Sequence, residues 1–202
     1  MKVLVLGATG ATGKLVVDQA LAAGHRVRAL VRSPEKVPLR HPELEVVTGQ
    51  PTDPQDVANA MTGVDVVIST LGATKGSVLT DATRAIIAGA DRSGVRRVVV
   101  LSSFTVLRGR LSGAAKLMSG LTMGAMVRDK TAAEELLRAS DLDWTIVHAI
   151  RLTNGRPTGV ATVLPSSAPL GLGASVARAD VAARLLSSVS DDGWFRRALV
   201  VG

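Results

Sequence analysis

Val3-Leu4-Val5-Leu6-Gly7-Ala8-Thr9-Gly10-Ala11-Thr12-Gly13-Lys14-Leu15-Val16-Val17 joins an apolar run to three glycines at three-residue intervals and then to a second apolar pattern. The first run, Lys2 to Leu6, reads as a buried strand, and the pattern from Thr12 to Ala23 as a helix. The spacing G-x-x-G-x-x-G gives each glycine its own steric task. Gly7 permits the tight turn out of the strand, Gly10 lets the backbone approach a diphosphate, and Gly13 lets helix and sheet pack closely. Free amides at the helix start, together with its dipole, favour an anion. Placed after a strand and before a helix, this loop predicts dinucleotide binding.

Outward from the loop, short β-branched runs alternate with longer helical patterns. Further strands are expected at Arg26 to Val31, Leu44 to Val47, Asp65 to Ser69, Arg97 to Leu101, Trp144 to His148, Val160 to Leu164 and Ala198 to Val201. Helices are expected at Pro54 to Met61, Leu79 to Ser93, Ala125 to Ser140 and Ala179 to Ser188. Asp53 before Pro54 has the form of a helix cap, and Gly24 and Gly94 stand where helices end in a left-handed residue. The alternation defines the α/β class: a Rossmann-type doubly wound, mainly parallel sheet in three layers (αβα). At 202 residues the expectation is a single NAD(P)-binding domain over 1–202.

Composition narrows the partners. The sequence has no cysteine, which removes disulfides and thiolate chemistry, and no ligand cluster suggests a metal. A net charge of +7 suits nucleic acid, an anionic surface or a polyanionic small ligand, but only Trp144, Trp194, Phe104 and Phe195 are aromatic. Stacking platforms for single strands are hard to build from four such residues, so no nucleic-acid partner is expected. No apolar stretch reaches the length of a membrane span, and a cytoplasmic location is the expectation. The Gly-rich basic segment from Phe104 to Gly124 reads either as a mobile lid or as an amphipathic surface helix.

Cofactor choice is read at the end of the second strand. An acidic residue there would favour NAD, whereas Leu30-Val31-Arg32-Ser33 presents a guanidinium suited to bidentate contact with a 2′-phosphate. Arg28, Lys36 and Arg40 are expected to add positive potential nearby, and NADP(H) is the predicted cofactor.

The Gly-Ala-Thr-Gly-x-Thr-Gly loop, Leu30-Val31-Arg32, the run from Asp129-Lys130 to Glu134, Leu142-Asp143-Trp144-Thr145-Ile146-Val147 and Arg178-Ala179-Asp180-Val181-Ala182 together resemble the atypical short-chain dehydrogenase/reductases, and within them the NmrA-like and biliverdin reductase B (flavin reductase) group. The resemblance implies that Gly7, Gly10, Thr12 and Gly13, with Ala8, Thr9 and Ala11 between them, hold the pyrophosphate. It places Arg32 and Ser33 at the 2′-phosphate and Thr70, Leu71 and Gly72 along the cofactor cleft. Ser103, with Ser102 beside it, would face the nicotinamide and substrate, and Lys130 the nicotinamide ribose. The sequence departs from such relatives in three places. Met126 stands where a catalytic tyrosine precedes Lys130 by four residues, Gln50 follows Gly49 in place of an aspartate, and His148-Ala149 replaces Arg-Pro.

With no tyrosine in the sequence, carbonyl reduction lacks its usual proton donor. A flavin, quinone or tetrapyrrole delocalises the arriving charge, so such planar acceptors fit an NADPH-dependent oxidoreductase built on Ser103 and Lys130 as catalytic residues. The alternative is a non-catalytic NADP(H)-binding redox sensor or regulator of NmrA type. Structural alternatives also stand for single residues: Ser103 as a backbone partner at a strand end, Lys130 as a solvated helix residue, His148 as a satisfied core histidine. The protein is expected as a monomer or small homo-oligomer.

Overall fold

The computed structural model describes residues 1–73, 76–107, 124–165 and 174–202. Seven strands form one sheet: β1 (Lys2–Leu6), β2 (Arg26–Val31), β3 (Leu44–Thr48), β4 (Val66–Ser69), β5 (Arg97–Ser103), β6 (Asp143–Ala149) and β9 (Arg197–Val201). Their spatial order is β3-β2-β1-β4-β5-β6-β9, and every neighbouring pair is parallel. Among the described residues, five helices cross between them: α1 (Ala11–Ala22), α2 (Pro54–Met61), α3 (Val78–Ser93), α4 (Gly124–Ala139) and α5 (Arg178–Ser187).

Strand alternation divides the core into two layers. Val3 and Val5 of β1 point to one face, where they meet Val16 and Ala20 of α1 and Val181 and Leu185 of α5. Leu4 and Leu6 point to the other, among Val57 and Met61 of α2, Ile86 of α3 and Leu137 of α4. Both faces of β1 are therefore dry, which is why this strand reads as an unbroken apolar run. Each fully buried leucine contributes about 2 kcal/mol.

Helix boundaries follow local chemistry. Asp53 accepts hydrogen bonds from Gln55 N at 2.8 Å and Asp56 N at 3.0 Å, with Pro54 at the first helical position. Gly94 ends α3 at φ +75°, the left-handed conformation its place after the helix predicted.

Two expectations need correction. Val160 to Leu164 is not a full strand: it pairs with the end of β9 through a single antiparallel bridge between Val163 and Val201, with backbone hydrogen bonds between Thr162 and Gly202 and from Leu164 N to Val200 O. Hydrogen bonds from Thr158 N, Thr158 Oγ1 and Gly159 N to the Asp180 carboxylate, and from Ala161 N to Asp180 O, tie the start of this segment and the residues before it to α5. The short parallel pair β7 (Arg151–Thr153) and β8 (Ser175–Ala177) was not expected, because three residues are too few for a readable period. Of the segment 104–124, residues 108–123 lie outside the described residues, while Phe104–Val106 forms a single 3-10 turn. Among the described residues no helix is long and apolar enough to cross a membrane.

Candidate functional site

The chain leaves β1 for β2 and β3 on one side, then returns to lay β4 on the other, so the crevice beyond β1 and β4 is the topological switch point of the sheet. Gly7 turns out of β1 at φ +86° and Gly10 N donates to Gly7 O at 2.9 Å. From the end of β4, Thr70 Oγ1 donates to Leu6 O at 3.1 Å and fixes the opposite wall. A Cβ on Gly13 would stand 2.7 Å from Thr70 Oγ1 and from the Gly7 carbonyl carbon, and closer still to the Gly7 oxygen. The backbone is thus packed to contact, and only glycine fits.

Helix α1 starts at this turn with neither a side-chain cap nor an acidic residue in its first turn. Its first intrahelical bond runs from Lys14 N to Gly10 O, which leaves the amides of Ala11, Thr12 and Gly13 without helical acceptors. Ala8 and Thr12 are buried, Thr9 is half-buried and Gly10 and Ala11 are exposed. Open donors with no carboxylate among them are what a diphosphate requires, so this cradle fits a dinucleotide.

Beside it lies a cleft of about 550 Å³, within the range of small-molecule sites. Its walls include Arg32, Gln50, Pro51, Leu71, Gly72 and Met126. Arg32 is exposed just past β2, and among the described residues no carboxylate pairs with it. Ser33 follows at the start of the 3-10 turn Pro34–Lys36. Arg28 does not add to this potential as expected. Its Nε donates to Glu45 Oε2 at 2.9 Å and its Nη1 to Ala60 O and Thr62 O at 2.8 Å, so it stitches β2 to β3 and the end of α2. Lys36 lines a separate hollow with Lys14 and Val37, and Arg40 is exposed elsewhere on that loop. Arg32 is the one of the four that lines the cleft.

A second, small cavity of about 20 Å³ brings Ser102 of β5 and Lys130 of α4 together with Ser69 and Leu71 at the end of β4. Leu71 lines both spaces. Ser103 lines neither. Its hydroxyl sits 2.9 Å from Thr105 Oγ1 and accepts from Thr105 N at 3.3 Å, the backbone role of a strand end.

The same cavity contains Glu134, to which sequence reasoning assigned no role. Ser102 Oγ donates to Glu134 Oε1 at 2.6 Å, and His148 Nε2 is 3.0 Å from each carboxylate oxygen. Ser102 and His148 are register partners on β5 and β6, while Glu134 lies one helical turn beyond Lys130. The i,i+4 spacing of Lys130 and Glu134 is visible in sequence, but the strand register that completes the cluster is not. His148 is buried as a core histidine, yet its Nδ1 has no partner among the described residues.

Burial pushes the Glu134 carboxyl up, but hydrogen bonding and charge from His148, the bond from Ser102 and the charge of Arg138 outweigh it and hold the group below the ordinary carboxylate value. Lys130 is lowered from the usual lysine range, chiefly by burial, with Glu134 and Asp129 opposing. Asp129 itself serves the scaffold: it accepts from Leu79 N at 2.9 Å, Thr80 N at 3.0 Å and Thr80 Oγ1 at 2.7 Å, capping α3 from the neighbouring helix.

Glycine loop, switch-point cleft and parallel sheet define a dinucleotide-binding Rossmann protein. The chain belongs to the NAD(P)H-binding family, whose profile matches residues 7–192. It is 32% identical over 179 residues to an uncharacterised chloroplastic protein of Arabidopsis thaliana, with 81% of this chain and 64% of that protein covered. It is 30% identical over 207 residues to a (4-alkanoyl-5-oxo-2,5-dihydrofuran-3-yl)methyl phosphate reductase of Streptomyces griseus, with 98% and 67% covered. The chain thus spans about two thirds of the length of these relatives. Its fold superposes on that of an anaerobilin reductase of Escherichia coli O157:H7 with a TM-score of 0.83 at 27% identity, covering 100% of this chain and 96% of the other. The resemblance read from the motifs therefore holds at the level of family and fold, with oxidoreductases among the neighbours.

Proposed function

We propose that this chain is an NADPH-dependent oxidoreductase that reduces a flavin, a quinone or a similar planar acceptor such as a tetrapyrrole. The observation that carries the reading is the uncapped helix start at the switch point of the sheet, next to a cleft lined by Arg32, which has no carboxylate partner among the described residues. Bound there, NADPH supplies a hydride to the acceptor. The amides of Ala11, Thr12 and Gly13 bind the diphosphate, and the fork of Arg32, with Ser33, takes the 2′-phosphate. Thr70, Leu71 and Gly72 wall the cleft, and Lys130, beside Ser102, holds the ribose and contributes positive charge. Ser103, whose hydroxyl contacts Thr105 at the end of β5, gives up that contact for the acceptor when the acceptor binds. Since no tyrosine exists to protonate an alkoxide, an acceptor that spreads the incoming charge suits this site best. Reductases of a furanone phosphate and of anaerobilin among the similar proteins support the class of reaction.

The test is anaerobic NADPH oxidation with FMN, FAD, biliverdin and quinones, comparing wild type with Ser103→Ala and Lys130→Ala. Turnover that falls at least tenfold in the variants is the expected result. Tight NADPH binding with no acceptor reduced across the panel would replace the enzyme with the NADP(H)-binding sensor.

A further inference from the structure

The cluster of Ser102, Glu134 and His148 is buried at the end of the sheet that carries the cofactor cleft, and neither the fold nor the proposed hydride transfer explains why a carboxylate is placed there. Glu134 is 6% exposed and His148 1%. Burying a charge in this way is costly unless it is paired, and it is held by His148, Ser102 and, from the surface side, Arg138 Nη2 at 3.3 Å. The carboxylate faces Nε2, so that nitrogen is the donor, and Nδ1 is buried with no partner among the described residues. The imidazole thereby fixes the orientation of Glu134. The next cation along the same helical face is Lys130, which shares the small cavity with Glu134 and Ser102. That space, about 20 Å³, admits one water between the ammonium and the carboxylate.

We propose that Glu134 is a positioning residue: clamped by Ser102 and His148, it holds the Lys130 ammonium in the small cavity that shares Leu71 with the cofactor cleft. The proposal rests on the cofactor reading above. Among the described residues, the groups facing Lys130 and Glu134 are Asp129 and Arg138 on α4, Ser69 and Leu71 from β4, Leu79 and Thr83 on α3, Ser102 on β5 and His148 on β6. Asp129 is engaged by the start of α3, and of the two carboxylates Glu134 acts the more strongly on Lys130. Burial already lowers Lys130, and loss of Glu134 lowers it further, so binding that depends on the ammonium should fail at a lower pH.

The experiment measures the NADPH dissociation constant from pH 6 to 10 for wild type, Glu134→Gln, Glu134→Asp, Lys130→Met and the Glu134→Gln/Lys130→Met double variant. Wild-type affinity should decline as Lys130 loses its proton. In Glu134→Gln the decline should begin about one pH unit lower, with Glu134→Asp restoring most of the wild-type profile. The double variant should match Lys130→Met. A profile unchanged in Glu134→Gln, or a shift that persists without Lys130, overturns the proposal. Carbon-13 NMR of the lysine side chains in the unsubstituted protein tests the coupling independently of any variant's folding. The Lys130 signal should move as Glu134 takes up its proton below pH 4.5, and an unresponsive signal also overturns it. Absence of NADPH binding by the wild type at every pH removes the cofactor reading together with this proposal, whereas binding with an unchanged profile in Glu134→Gln removes this proposal alone.

Discussion

Gly13 packs its α-carbon directly against the carbonyl group of Gly7, so that the first turn of α1 and the exit of β1 touch backbone to backbone. Because the obstructing atoms are main chain, a side chain cannot be accommodated by a rotamer change. Gly13→Ala should destabilise the protein by about 3 kcal/mol and abolish NADPH binding, measured by thermal unfolding and calorimetry. Gly24 is the control. It has φ +77° but nothing within 4 Å of a Cβ, so Gly24→Ala should cost only about 1 kcal/mol and leave binding intact.

Arg32 is the guanidinium at the rim of the cleft, and a charge-assisted contact to a phosphate is worth about 2 to 3 kcal/mol. Arg32→Asp should weaken NADPH about 100-fold and change NADH little. Equal NADPH and NADH affinities in the wild type would remove the assignment of this residue.

Lys130 sets stability against binding. Its folded pKa lies below 10.5, so over the interval between the two values the unfolded chain binds more protons than the native one. Its destabilisation is therefore full at neutral pH and disappears as pH rises towards 10.5. Lys130→Met should unfold at a higher temperature than wild type at pH 7, with the gap closing by pH 10 to 11, while NADPH binds at least tenfold more weakly. Loss of stability at pH 7 would show that the ammonium contributes to the scaffold.

Asp129 supplies from α4 the cap that α3 does not make for itself, since Ser77 forms no side-chain cap there. Removing the carboxylate leaves two buried amides without an acceptor, while the Thr80 hydroxyl keeps the Asp129 main-chain oxygen at 3.2 Å. Asp129→Ala should cost about 2 to 3 kcal/mol in urea denaturation. Asp129→Asn, which retains one acceptor oxygen, should cost about half as much.

The limits of sequence reading follow from range. Strands β1, β2 and β5 and helices α1 to α5 are legible within a residue or two because burial on one or two faces imposes a local period. Arg32 is legible for the same reason, since its place at a strand end depends on neighbours in the chain. Arg28 is not. Four residues earlier on that strand, its side chain was free to serve a phosphate or a helix end until the fold brought Ala60 and Thr62 to it. The strand expected at Val160 to Leu164 is cut to a single bridge because Asp180, about twenty residues later, takes hold of Thr158, Gly159 and Ala161 at its start.

The amino-acid order alone determined the layered fold and the glycine cradle, because alternation of apolar residues and the steric freedom of glycine act over a few consecutive positions. Tertiary structure decided which charged side chains share an environment. Ser102, Glu134 and His148 are separated by 32 and 14 residues, and only the parallel pairing of β5 with β6 beneath α4 brings them within hydrogen-bond distance, where low dielectric turns three ordinary polar residues into one electrostatic unit.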